Sequence, residues 1–239
     1  GKLVFSSRLF ADPALSSDEL LYKIVNMLAL YGVEPHQITG VIFSSVVPTL
    51  TSRLRETLRK MSEAPVMEVG PGLKSGVRIR MDTPAQLGGE LLCAVVGALQ
   101  HTAPPMVVIN FDTATTLLAV DAEGTLVGGA ILPGPQCSLA ALVANTAQLP
   151  QVELDAKPRR VIGTNTPDCL QSGIVYGTAA MLDGMVQRFC GKLNAPDAAV
   201  IATGTLPASI RSACTVDIDY RATLVLDGLF TIWTKNTRR

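Results

Sequence analysis

Residues 106 to 134 constrain the fold more than any other stretch. Met106-Val107-Val108-Ile109 is apolar without alternation, which suits a strand covered on both faces. It runs into a compact polar segment, Asn110-Phe111-Asp112-Thr113-Ala114-Thr115-Thr116, then a second apolar run, the turn residues 121 to 124 and a third run that ends in Gly128-Gly129-Ala130-Ile131-Leu132-Pro133-Gly134. Strands joined this tightly make a meander, and the pattern predicts them at residues 106 to 110, 115 to 120 and 125 to 131. The polar segment sets backbone N–H groups and threonine hydroxyls at a strand end, an arrangement able to cradle phosphate oxygens.

Around the meander, helices and strands alternate with no low-complexity linker or fixed-period repeat, the signature of an α/β chain with a mixed sheet. Ser16 with Glu19 predicts a capping box, and Leu20, Leu21, Ile24, Val25 and Leu28 follow on one helical face. A buried strand is expected at residues 40 to 47, then a helix opened by Pro48 and carrying Leu50, Leu54, Leu58 and Met61, then a strand at 66 to 69. Thr83, Pro84 and Gln86 read as the cap, first position and capping-box partner of a helix bearing Leu87, Leu91, Val95 and Leu99. A long helix is expected from Thr166, as its cap, through residue 193. Gly173, Gly177, Ala180 and Gly184 lie near one face of it, where another backbone approaches, either the chain's own sheet or a second subunit. Residues 200 to 205 read as a strand ending in a small-residue turn, and a last helix spans residues 223 to 235. Two halves, 1–100 and 101–239, are suggested.

Charge and composition narrow the function. Twenty acidic residues balance twenty basic ones, which leaves no electrostatic footprint for nucleic acid, and Arg238 and Arg239 read as a solvated tail. No apolar run is long enough to span a bilayer and no leader pattern is present, so the expected location is the cytoplasm, with no membrane partner. Cys93, Cys137, Cys169, Cys190 and Cys214 form no close pair and, with only two histidines, no zinc site; they are expected to be buried and reduced. His36 and His101 lack any catalytic context and read as surface or element-end residues.

Several segments together resemble the type III pantothenate kinases of the acetate kinase, sugar kinase, Hsp70 and actin superfamily. They are Ser44-Ser45-Val46-Val47-Pro48, Gly70-Pro71-Gly72-Leu73-Lys74-Ser75-Gly76, Asp82 and Pro84 ahead of Gly88, Thr113-Ala114-Thr115-Thr116, and the glycine-rich run at 128 to 134. Thr146-Ala147-Gln148-Leu149-Pro150, Ile162-Gly163-Thr164-Asn165-Thr166, Gln171-Ser172-Gly173 and Thr203-Gly204 follow in the family's order. The resemblance implies two ribonuclease-H-like (actin-like ATPase) domains, dimeric association, and phosphorylation of pantothenate by ATP with Mg2+ and a monovalent cation such as K+, at the entry to coenzyme A synthesis. Phosphoryl transfer of this kind needs carboxylates for metal, amides and hydroxyls for phosphate, and a base for the attacking hydroxyl.

This chain departs from the family at each of those parts. The first phosphate loop, Asp-x-Gly-Asn-Thr, would fall upstream of Gly1, together with the first strands of its domain. The second reads Asn-Phe-Asp-Thr-Ala-Thr-Thr, with Asn110 where the family has an acid and Asp112 where it has glycine. The Gly-Ala-Asp-Arg segment becomes Gly88-Gly89-Glu90-Leu91, so Glu90 takes the place of the catalytic aspartate and Leu91 that of an arginine suited to a carboxylate. The adenosine turn reads Thr203-Gly204-Thr205. By resemblance, ATP falls to Asp112, Thr113, Thr115, Thr116, Thr203 and Gly204, metal to Asp112, and substrate to Gly88, Asn165 and Thr166.

In the family, residues around Asn165, Thr166, Gln171, Ser172 and Gly173 reach across a dimer to cover the partner's pantothenate; here Thr164 replaces the arginine of that region. Three readings follow. The chain is a non-autonomous subunit that completes the pocket of an intact paralogue, with Thr166 lent to it; or a divergent active kinase using Glu90 and Asp112; or a non-catalytic accessory protein.

Overall fold

The computed structural model describes residues 1–10, 12 and 14–237; the arginine pair read as a tail lies outside the described residues. Chain order begins with α1 (Ser17–Leu30), β1 (Val41–Phe43), α2 (Pro48–Met61), β2 (Val66–Glu68), β3 (Arg78–Ile79) and α3 (Gly89–His101). The meander follows as β4 (Met106–Phe111), β5 (Ala114–Val120) and β6 (Thr125–Pro133). Then come α4 (Pro135–Ala144), α5 (Thr166–Lys192), β7 (Ala199–Gly204), α6 (Ala208–Ala213), β8 (Asp219–Tyr220) and α7 (Leu224–Thr237).

One six-stranded sheet runs β3-β6-β5-β4-β7-β8 and a two-stranded parallel sheet joins β1 to β2. β4 pairs antiparallel with β5 and parallel with β7, and β5 pairs antiparallel with β6. Counted from β4, the order is third, second, first, fourth, fifth with only the second reversed, which is the ribonuclease-H arrangement. β4 holds its centre because all six of its residues are buried, as an unalternated apolar run requires. One face packs Ile109, Phe111 and Leu117 against Leu139 of α4, Leu170, Val175 and Leu182 of α5 and Ile210 of α6. The other packs Met106, Val108 and Leu118 against Ala94, Val95 and Ala98 of α3 and Leu224 of α7.

α3 and α7 form a layer shared by both sheets, since Cys93, Val96 and Ile232 also pack against Val69 and Ile42 on the small-sheet side. Their crossing is very close: a Cβ at Gly97 would stand 2.1 Å from the carbonyl oxygen of Leu224, and one at Gly228 would stand 1.8 Å from that of Cys93. His101, at the end of α3, bonds Asp227 of α7 at 3.0 Å, and Arg221 lies 3.1 Å from its other ring nitrogen. The chain's last helix therefore fixes the orientation of the helix that carries Glu90.

Several local expectations need correction. β1 stops at Phe43, and beyond it Ser45 bonds locally: Thr51 donates to Ser45 Oγ at 2.7 Å, and the Val47 amide reaches it at 3.4 Å. Thr83 to Gln86 form no α-helical cap; Pro84–Gln86 is a single 3-10 turn, and α3 begins five residues later behind Gly88. Asn165, not Thr166, caps α5, its side chain accepting from the Asp168 amide at 2.9 Å. Cys137 and Cys169 are exposed on their helices rather than buried. Ser16 and Glu19 do form the capping box of α1.

Candidate active site

The pleat and register of the large sheet gather a polar row that is scattered in sequence. Asn110 on β4 pairs with Thr116 of β5 on one side and Thr203 of β7 on the other. Paired residues in a sheet share a face, so all three side chains stand on the α3 and α7 side at the C-terminal end of β4. They are buried, with exposures of 5% for Asn110, 7% for Thr116 and 1% for Thr203. Glu90 lies in the first turn of α3, and Asn110 Nδ2 donates to its Oε1 at 3.2 Å. The amide's Oδ1 is buried with no partner. Asn110 and Glu90, separate in sequence, therefore bond to each other.

A cavity of about 250 Å³ opens beside this pair, lined by Glu90, Asn110, Asp112, Thr203, Gly204 and Thr205 among others. Gly204 adopts φ +90° there, and a Cβ on it would stand 2.0 Å from the Phe111 carbonyl oxygen. The Thr205 amide donates to that oxygen at 2.7 Å and Tyr220 donates to the Gly204 carbonyl at 2.6 Å, so the turn is fixed against β4. Asp112 has an ordinary negative φ, so replacing a glycine there imposes no backbone strain. Its side chain is exposed and makes no hydrogen bond or ion pair among the described residues. Gly134 closes beneath the same turn, its amide bonding Thr113 O at 2.9 Å.

The threonines of the turn separate. Thr115 is opposite Phe111 and so stands on the α4 and α5 face, fully buried, its hydroxyl without a partner. Thr116 belongs to the buried row, and only Thr113 is exposed at the tip. Strand alternation, which the motif alone does not convey, separates them. Arg8 is a cavity residue that no sequence motif signalled; its Nη1 donates to Thr205 Oγ1 at 2.9 Å and, among the described residues, it is the cavity's one cation.

A second cavity, of about 640 Å³, adjoins the first across the start of α3. Gly88 and Gly89 line it while Glu90, the next residue, lines the other. Its far wall is the loop after β2, where Gly72 adopts φ +95°, a conformation that favours glycine. A Cβ on Gly89 would fall 2.5 Å from Ser44 Oγ, a buried hydroxyl without a partner.

The remaining substrate candidates lie on α5. Asn165 is occupied as a cap and also donates from Nδ2 to Asp168 at 2.9 Å. Gln171 donates to the carbonyls of Glu153 and Ala156, and Ser172 to that of Val161, so both pin the preceding loop. Thr166 is exposed and makes no such bond. Cβ atoms placed on Gly173 and Gly177 would meet nothing within 4 Å, and that on Gly184 only the Arg188 side chain. The chain's own sheet therefore does not occupy this glycine face.

The sequence pattern of the type III pantothenate kinases matches residues 1–188. A type III pantothenate kinase of Rubrobacter xylanophilus is 36% identical over 242 residues, covering 100% of this chain and 92% of that protein. This chain belongs to the type III pantothenate kinase family. One from Streptomyces avermitilis is 38% identical over 239 residues, covering 97% and 90% of the two chains. Among solved structures, a conserved putative Baf family transcriptional activator from Campylobacter jejuni has the same fold, with a TM-score of 0.58, 19% identity and coverage of 93% and 89%. No described helix is long and apolar enough to cross a membrane.

A kinase of this family works on ATP with a metal ion. Among the described residues no three His, Cys, Asp or Glu side chains converge to hold a resident ion. Two carboxylates, Glu90 and Asp112, do line one cavity. That donor set suits a Mg2+ ion carried in on phosphate oxygens, which needs one or two protein carboxylates.

Proposed function

We propose that this chain is a pantothenate kinase-type subunit that completes the active site of an intact paralogue in a heteromeric dimer. The observation that carries this reading is the contrast along α5. Its glycine face is uncovered and Thr166 is unengaged, while the neighbouring Asn165, Gln171 and Ser172 are all used within the chain. A partner helix seated on Gly173 and Gly177 would bring Thr166 to the partner's substrate. The home cleft, by contrast, has a neutral amide where the family has an acid.

Within the home cleft, backbone amides at Gly204 and the Asp112 turn, with Thr203, would face the nucleotide, and Arg8 would offset phosphate charge. A Mg2+ ion, when bound, would neutralise charge on the transferred phosphoryl group. Glu90 would accept the proton of the substrate hydroxyl, with Asn110 holding one carboxylate oxygen and Gly88 backing the substrate. That Glu90 and Asp112 share one cavity favours a second reading, in which the chain is a divergent kinase active by itself.

The test is ADP release with pantothenate and ATP, from the purified chain, from an intact family member, and from the two mixed. The proposal expects negligible turnover by the chain alone and a mixed rate above that of the paralogue. Turnover by the lone chain supports the second reading, and a mixture no faster than the paralogue removes the first.

A further inference from the structure

The chamber backed by Gly88 has a feature that the family assignment does not supply: among the described residues, none of the seventeen that line it is charged. Ser45, Ser75 and Gln86 are its polar side chains, and the rest of the wall is aliphatic, glycine or proline. Leu91 stands where the family's arginine would be and packs into the apolar layer between α3 and the large sheet. Two lysines flank the rim without lining the chamber: Lys74, exposed between Leu73 and Ser75, and Lys235, which donates to the Ser75 carbonyl at 3.2 Å. On the α3 side Glu90 follows Gly89 directly and lines the neighbouring cavity.

A carboxylate entering this chamber would lose water, find no counter-ion in the described wall and lie near the helix turn that carries Glu90. The uncapped N-terminus of α3 offers amide hydrogens, since Gly88 supplies no side-chain cap, but Glu90 in that first turn already occupies the favourable end of the helix dipole. Those amides suit a neutral carbonyl oxygen equally. The backbone at Gly70 and Gly72, where a Cβ would meet nothing within 4 Å, leaves room for an amide-bearing chain along the wall.

We propose that this chamber selects a neutral ligand, a hydroxylated acyl chain whose acid end is an amide or alcohol, over the free carboxylate. The inference rests on reading the Gly88 chamber as the acyl-substrate site. It concerns binding, and so does not depend on whether the chain turns over by itself.

Titration calorimetry on the whole chain tests it with three probes: pantothenate, its alcohol analogue panthenol, and an N-alkyl pantothenamide. Both neutral probes are expected to bind at least tenfold more tightly than pantothenate at physiological ionic strength. Gln86→Arg, at an exposed wall position outside the catalytic groups, is expected to narrow or invert that ratio by placing a guanidinium at the chamber. Pantothenate binding as tightly as panthenol to the unmodified chain overturns the selectivity while leaving the site assignment intact. A ratio unchanged in Gln86→Arg also overturns it, because charge in the chamber would then not set the preference. Absence of binding by all three probes overturns the site assignment and the selectivity with it.

Discussion

Two glycine-to-alanine substitutions should move stability in opposite directions, and the difference tests how α3 is held. At Gly228 an added methyl would stand 1.8 Å from the Cys93 carbonyl oxygen, against the 3.4 Å or more of ordinary contact. Backbone, not a flexible side chain, is in the way, so α7 must withdraw from α3 by about 1.5 Å; overpacking of this kind costs typically about 1–3 kcal/mol, and a rigid neighbour argues for the upper end. Alanine returns about 1 kcal/mol through helix propensity. The net expectation is a loss of about 2 kcal/mol, seen as a Tm lower by about 4–8 °C for a chain of this size. At Gly177 nothing lies within 4 Å, so only the propensity gain applies, and the isolated chain should be stabilised by about 0.5–1 kcal/mol. Urea unfolding with an unchanged m-value, supported by calorimetric Tm, measures both. Because α7 positions the helix bearing Glu90, Gly228→Ala should also weaken whatever binding the cleft supports. A neutral Gly228→Ala would refute the close crossing, and a destabilising Gly177→Ala would refute the uncovered face.

Further expectations follow from the site. Asn165→Ala should cost about 1 kcal/mol of stability as the loss of a helix cap, whereas Thr166→Ala should leave urea unfolding unchanged and lower only the substrate affinity of the assembled heteromer; equal stability losses would contradict the assignment. Asn110→Asp would set a second carboxylate against Glu90, lowering Tm in EDTA at pH 8 and restoring it with millimolar Mn2+; a Tm indifferent to Mn2+ would count against the shared cavity as a cation site. Burial holds the Cys93 and Cys214 thiols up at about 12 and raises that of Cys190, so at pH 8 a thiol reagent should modify only Cys137 and Cys169 rapidly, with all five reacting in denaturant. The same raised values mean that the folded state binds protons the unfolded state has released. Their contribution to stability is therefore complete below about pH 9 and is lost as pH climbs toward 12, which alkaline unfolding curves would register.

What the sequence made legible was whatever local physics decides. β4 was readable because burial on both faces demands an unbroken apolar run, and the α1 cap because Ser16 and Glu19 satisfy each other within one turn. Where two adjacent residues offer the same chemistry, local physics does not choose. Asn165 and Thr166 are both good caps ahead of Pro167, and the choice of Asn165 shifts the helix by one residue and turns the threonine outward. α4 went unrecognised because, after Gly134 and Pro135, its apolar residues mark no single face. The candidate site lies furthest beyond local reading, because its polar row is a product of register. Thr116, Asn110 and Thr203 come together only once β4 lies between β5 and β7, and the same pleat sends Thr115 to the opposite face. Read singly, Asn110 and Glu90 look like two separate losses of acid chemistry. In the fold they are one hydrogen-bonded unit, in which an amide rather than a second carboxylate faces Glu90. Such a pair avoids the charge repulsion that two buried carboxylates would create, and it leaves one acid fewer to gather a cation.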